Sequence, residues 1–216
     1  MKKIAVISAD LVNSSKYEEL GIVSSINTLE EPEGKYLSLS PKNILTSRGD
    51  SFQVMMEDWE NAFMKTIFLK AYFKKQTLSL KGKSQKKNLD ARMSLAVGVV
   101  DKIPADIGKT MEEPFVISGR ALDKMKEKGQ SIIIKTPNND FNDELEVECA
   151  LLQYILDGWT IAQAEVIYYL VQGLKQTEIA DKLGLTQPSV SNRIQLSNWT
   201  LIEKMDKRYK EIMSNI

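Results

Sequence analysis

Apolar positions change their spacing once along this chain. Up to about residue 135, compact β-branched runs alternate with helical stripes; beyond about residue 140 only helical spacing remains. Lys3–Ala9 (KIAVISA) reads as a buried strand. Tyr17–Leu29 fits a helix with Leu20, Ile22, Val23 and Ile26 inward, interrupted by Gly21. Asn43–Ser47 and Ser51–Met56 are short strands joined through Arg48-Gly49-Asp50, a hairpin by its turn chemistry. Asp58–Leu78 predicts a long amphipathic helix with Trp59, Phe63, Ile67 and Ala71 or Tyr72 on its buried side. Lys81–Asp90 breaks the pattern: four lysines with Gly, Ser and Asn predict a mobile, solvated basic loop. Arg92–Val100 is a second buried strand, Ile117–Lys128 a helix, Ser131–Lys135 a strand and Asn142–Asp157 a helix.

The order βα, ββ, αβ, αβ followed by helices predicts an α+β fold. It is a ferredoxin-like or palm-type sheet with helices on one face, followed by an all-α helix-turn-helix domain. The expected division is 1–140 for the sheet domain, 141–158 for a linker helix and 159–216 for the helical domain.

Residues 160–196 carry the densest local signal. Thr160 and Gln163 form a capping box, Val166, Ile167, Leu170 and Val171 a stripe, and Gly173 a stop. Ile179, Ala180 and Leu183 give the apolar face of a short helix that Gly184 ends at positive φ. Thr186 caps the next helix, Pro188 lies in its first turn, and Val190 and Ile194 face inward. Thr177, Thr186, Gln187, Ser189, Ser191, Asn192 and Arg193 are then placed to contact bases and phosphates of double-stranded DNA. The alternative is a three-helix bundle that only packs. The terminal stretch Trp199–Met213 spaces Ile202, Met205, Tyr209 and Ile212 by 3, 4 and 3, a seam suited to a homodimer or to packing on its own module.

Composition narrows the chemistry. The net charge is zero, with 29 basic and 29 acidic residues, so no whole-protein basic field exists. Residues 158–216 hold seven Lys/Arg against six Asp/Glu, a nearly neutral balance for DNA binding. Histidine is absent, which excludes Ser-His-Asp and Cys-His catalysis and histidine zinc sites. The single cysteine, Cys149, excludes an intramolecular disulfide and reads as a small buried residue on a helix. No signal peptide and no apolar run of membrane-spanning length is visible, so a cytoplasmic protein without membrane association is expected.

Two aspartates stand out by position. Asp10 follows the first strand, and Asp50 sits in the hairpin turn. If the hairpin lies beside the first strand, both carboxylates reach one sheet end. There they can hold Mg²⁺ against a triphosphate, because Mg²⁺ takes few protein oxygens and completes its shell with phosphate and water. The Asn13-Ser14-Ser15 turn offers backbone N–H groups to phosphate. Arg48 and Arg120 are further candidates for phosphate or another ligand. The plain alternatives are a turn residue for Asp10 and an ordinary hairpin Asp for Asp50.

At ADLVNSS and RGDSF the chain resembles class III nucleotidyl cyclases, whose two metal aspartates lie in such segments. The strand Met93–Val100 and the sequence Ser118-Gly119-Arg120-Ala121-Leu122 are similar to the later cyclase strand and helix. Residues 160–196 resemble the helix-turn-helix of LuxR-type regulators and of the sigma-factor domain that reads the −35 element. Over its full length the chain is identified as resembling the SatD family of bacterial proteins. The cyclase resemblance implies metal at Asp10 and Asp50, but Thr46 stands where a base-recognising Lys is usual, and the transition-state Asn is missing near Ile117–Leu122. Electrostatic stabilisation of the leaving pyrophosphate is the main catalytic contribution in such enzymes, so full turnover is not expected. The combined expectation is a DNA-binding transcriptional regulator whose cyclase-like half senses a nucleotide or other ligand. Its alternatives are a Mg²⁺-dependent nucleotidyl transferase or cyclase, and a protein-interaction adaptor.

Overall fold

Lys2–Leu11 forms the strand around which the sheet is built, because its residues are apolar on both sides and only an interior strand buries both. The computed structural model describes residues 1–30, 36–37, 43–47 and 49–216. This strand, β1, is followed by α1 (Glu19–Asn27), β2 (Ile44–Ser47), β3 (Ser51–Met56) and α2 (Ala62–Lys74). Then come β4 (Thr77–Ser79), β5 (Lys86–Asn88), β6 (Ala91–Val100), α3 (Glu113–Lys128) and β7 (Ile132–Lys135). Helices complete the chain: α4 (Asn139–Asp157), α5 (Ile161–Val171), α6 (Gln176–Leu183), α7 (Gln187–Leu196) and α8 (Trp199–Ser214). The main sheet has the order β2-β3-β1-β6-β7, with β1 antiparallel to both neighbours and β7 parallel to β6.

Alternation along β1 sends Ala5, Ile7, Ala9 and Leu11 to one side and Ile4 and Val6 to the other. The first set packs in the large core with α2. The second packs with Phe115 of α3, beside a hydroxyl contact between Ser8 and Ser118. Helices therefore cover both faces of the sheet, not one as expected. A strand as apolar as β1 has no side it can leave to water.

Helix α2 is shorter than the expected 58–78 and is buried nearly all round. Asp58 precedes it and accepts hydrogen bonds from Asn61 Nδ2 (2.9 Å) and Lys65 Nζ (2.7 Å). Its far end gives way to β4, which pairs with β5. That pairing also corrects the expected mobile basic loop at Lys81–Asp90: the segment closes a hairpin, and Leu89 behind it is fully buried. In α1, Ile22 and Ile26 point inward, whereas Leu20 is 86% exposed and Val23 also faces solvent. A spacing of four selects one helix face, and Leu20 and Val23 lie off it.

The C-terminal helices share the core of the sheet. Phe68 of α2 stacks on Tyr168 of α5 with ring centroids 5.1 Å apart. Phe63 meets Tyr209 of α8 at 5.7 Å, and the Tyr209 hydroxyl donates to the Trp59 carbonyl at 2.7 Å. The stripe in the last helix is spent inside the chain: Ile202, Tyr209 and Ile212 are buried and Met205 packs partly against the same core. Cys149 is buried in α4, and that burial pushes its thiol up to about 12.

Burial all round forces three lysines of α2 inside. Lys70 is fully buried, 2.7 Å from Asp90 Oδ1, and donates to the Ala91 carbonyl at 2.9 Å. Lys74 donates to the Leu156 carbonyl at 2.7 Å and lies 3.8 Å from the other Asp90 oxygen. Removing one partner of a buried pair leaves the other charge uncompensated, which costs about 3–5 kcal/mol. Asp90→Ala is therefore expected to lose stability on that scale in urea melts, and an unchanged midpoint would show that the lysines find water instead.

Candidate functional site at the end of the central strand

Asp10 occupies the second-last position of β1, opposite Ser51 of β3 and Arg92 of β6. The hairpin turn is held against it by the Leu11 amide, which donates to the Asp50 carbonyl at 3.0 Å. Gly49 adopts φ +77, so the turn needs a residue free of Cβ strain there. The Ser51 hydroxyl closes the hairpin on the Ser47 carbonyl at 2.7 Å. These constraints bring Asp10 and Asp50 to one cavity of about 370 Å³, lined also by Ser47, Ser51, Leu122, Asp123 and Lys126.

The electrostatics are those of an acidic pair with partial compensation. Burial, and then the charge of Asp50, raise the Asp10 carboxyl above its ordinary value. Lys126 and Arg92 pull the other way, Arg92 through a 3.2 Å contact from Nη1 to Asp10 Oδ2. Asp50 accepts from the Ser14 hydroxyl at 2.5 Å. Among the described residues no group of three or more Cys, Asp or Glu converges as a ready cation cage. Asp10 and Asp50, with the Asp123 carboxylate on the same cavity, do fit an ion that draws most of its shell from phosphate and water.

The other expected ligand residues separate. Ser14 reaches the site through Asp50, and Asn13, at φ 58, opens the short turn that carries it. Asn13 lines a different cavity, with Lys74, Asp90 and Trp159. Ser15 is exposed on the turn, and Arg48 lies outside the described residues. Arg120 is not part of the aspartate cavity. It lines another one, with Lys124, Lys128 and Lys135. The helical repeat explains this: Leu122, Asp123 and Lys126 lie on one flank of α3, and Arg120, Lys124 and Lys128 lie on the opposite one. The cations beside Asp10 are instead Arg92 and Lys126. Arg92 was findable from strand pairing, since it stands directly across from Asp10. Lys126 and Asp123 were findable only once the face of α3 was known.

In the C-terminal helices, Thr186 caps α7 by accepting from the Ser189 amide, and Gly184 closes α6 at φ 64. Thr177, Thr186, Gln187, Ser189, Ser191 and Asn192 are exposed, Arg193 is half-buried and Val190 is buried.

No family model matches the chain, and no curated protein does. Solved structures give loose likenesses. One is the active GGEEF domain of a diguanylate cyclase from Vibrio cholerae, at 15% identity over 64% of this chain and 85% of that one, with a TM-score of 0.45. Another is the GGDEF domain of DgcB from Caulobacter crescentus in complex with c-di-GMP, at 12% identity over 62% and 77%, with a TM-score of 0.41. Overlaps this loose assign no activity to the present chain. Among the described residues no helix is long and apolar enough to cross a membrane.

The repulsion at Asp10 yields a stability test. A raised carboxyl binds its proton more tightly folded than unfolded, so its ionised form is a cost at neutral pH that disappears as pH falls through the raised value. Asp50→Asn is expected to stabilise the metal-free protein at pH 7 by about 0.5–1 kcal/mol. The gain fades in acid, where Asp10 is protonated in both proteins. Thermal melts in chelator across pH 4–8 measure it; a gain independent of pH assigns it to something other than this pair.

Proposed function

We propose that the cavity at the end of β1 binds Mg²⁺ together with a nucleoside triphosphate, in a protein of the nucleotidyl-transfer class. The observation that carries this reading is the convergence of Asp10 and Asp50 on one cavity that Lys126 also lines. Asp10 and Asp50 would hold the ion, whose charge would offset their mutual repulsion. Bound there, Mg²⁺ would neutralise charge on the phosphate oxygens. Lys126 supplies a cation to the same phosphates, while Arg92 keeps the Asp10 carboxylate in position through its 3.2 Å contact. Thr46, exposed on β2, offers no cation for a base, so nucleotide choice rests on other contacts. In calorimetry, ATP or GTP with Mg²⁺ is expected to give a heat that Asp10→Ala with Asp50→Ala abolishes. Incubation followed by chromatography then reads any transfer product. Absence of heat with every nucleotide in the unaltered protein ends the reading.

A second reading concerns residues 159–216, and one observation favours it. Gln187, Ser189, Ser191 and Asn192 are exposed along the front of α7 while Val190 anchors its back. An exposed polar front over a buried anchor would suit a helix that enters the major groove of double-stranded DNA. With it go a regulatory role and a dimer on two half-sites, formed by surfaces other than the stripe buried in α8. The division at 141–158 is then one of function, since the packing is continuous. Asn192→Ala with Arg193→Ala is expected to weaken binding to a selected operator by about 1–3 kcal/mol per lost contact. Shift assays at fixed salt read this, and wild-type affinity in the double variant removes α7 as the reader.

A further inference from the structure

We infer that α3 carries a second anion site, on the face turned away from the aspartates, which takes a small phosphorylated ligand without a metal. Arg120, Lys124 and Lys128 recur every four residues along α3 and line one cavity of about 290 Å³. Lys135 reaches the same cavity from β7. The one carboxylate there, Glu146, lies 3.8 Å from Lys135. Arg120, Lys124 and Lys128 form no ion pair among the described residues. Four cations against one acid inside a concave surface focus a positive potential, in a protein whose net charge is zero.

The floor of the cavity decides what kind of anion fits. Ile117 and Ala121 from α3 and Ile133 from β7 line it, so the ligand has an apolar or flat body as well as charge. Its volume lies at the small end of ligand cavities, which suits a mononucleotide or a phosphorylated metabolite rather than a dinucleotide. Arg120 can grip phosphate bidentately, and the lysines add point charges. No carboxylate pair is available to hold a cation, so binding here is independent of divalent metal. That separates it from the Asp10 cavity, where like charges demand one.

The test uses the full-length protein and fluorescent N-methylanthraniloyl-GTP, followed by anisotropy with and without a chelator. A component that survives the chelator is expected. Arg120→Ala with Lys124→Ala should weaken that component at least tenfold, while Asp10→Ala with Asp50→Ala leaves it within twofold. Inorganic pyrophosphate should compete for it. Both altered side chains are exposed, and circular dichroism checks that the fold is kept. Loss of all binding in the chelator overturns the inference, as does unchanged affinity in the Arg120/Lys124 variant. Competition by duplex DNA but not by pyrophosphate also overturns it, by giving the surface to nucleic acid. Failure of the Mg²⁺-dependent site alone leaves the chelator-resistant component intact, so the two readings fail separately.

Discussion

The ion pairs that Asp90 makes with Lys70 and Lys74 are the constraint on which the rest of the structure depends. Helix α2 is covered by the sheet on one side and by α5 and α8 on the other, so no face of it remains for charge. An unpaired ammonium in that position is prohibitively costly, and the lysines stay only because Asp90 and carbonyl oxygens meet them. The solution ties distant segments together. Lys74 fastens the end of α4 through the Leu156 carbonyl. The Asp90 carbonyl accepts from the Val12 amide at 2.8 Å, which fixes the chain two residues beyond Asp10. The candidate site therefore stands on the same electrostatic post as the core.

Much of the fold was legible because the local signals agreed with one another. β1, β3 and β6 are compact, largely apolar runs. The ends of α5, α6 and α7 carry Thr160 with Gln163, Gly184, and Thr186 with Pro188, each acting by a short-range mechanism. What was not legible depends on long-range packing. The lysines of α2 look like a solvated face until the C-terminal helices cover them. The lysines of Lys81–Asp90 look like loop until β4 and β5 pair. The stripe of α8 looks free until Phe63 and Trp59 are placed against Tyr209. In each case the residue types are ambiguous, and only a partner distant in sequence resolves them.

The candidate site divides in the same way. Asp10 and Asp50 were readable from strand end and hairpin turn, since a hairpin beside β1 has little choice of register once Leu11 bonds to Asp50. The cations were not. Arg120 was the nearest Arg in sequence to the expected helix motif, but a rotation of roughly 200° separates positions two apart on a helix. Leu122 and Arg120 consequently serve different cavities. Helix α3 thus separates two cavities: that of Asp10 and Asp50 on one flank and that of Arg120, Lys124 and Lys128 on the other, with Phe115 and Met125 buried between the helix and the sheet.

Sheet and C-terminal helices share one continuous core, in which Phe68 lies on Tyr168 and Phe63 meets Tyr209. Trp159 reinforces it by donating its indole N–H to the Ser197 carbonyl at 2.9 Å, which locks the start of the helical segment to the end of α7. Close-packed interiors are poorly compressible, so displacement of one element moves its neighbours as a body. Helix α4 packs along β7, and Gln153 near its end accepts from the Ser131 amide at 2.9 Å, just ahead of that strand. A movement that opened the Lys70–Asp90 contact would leave the fully buried Lys70 ammonium without its carboxylate in the middle of the core.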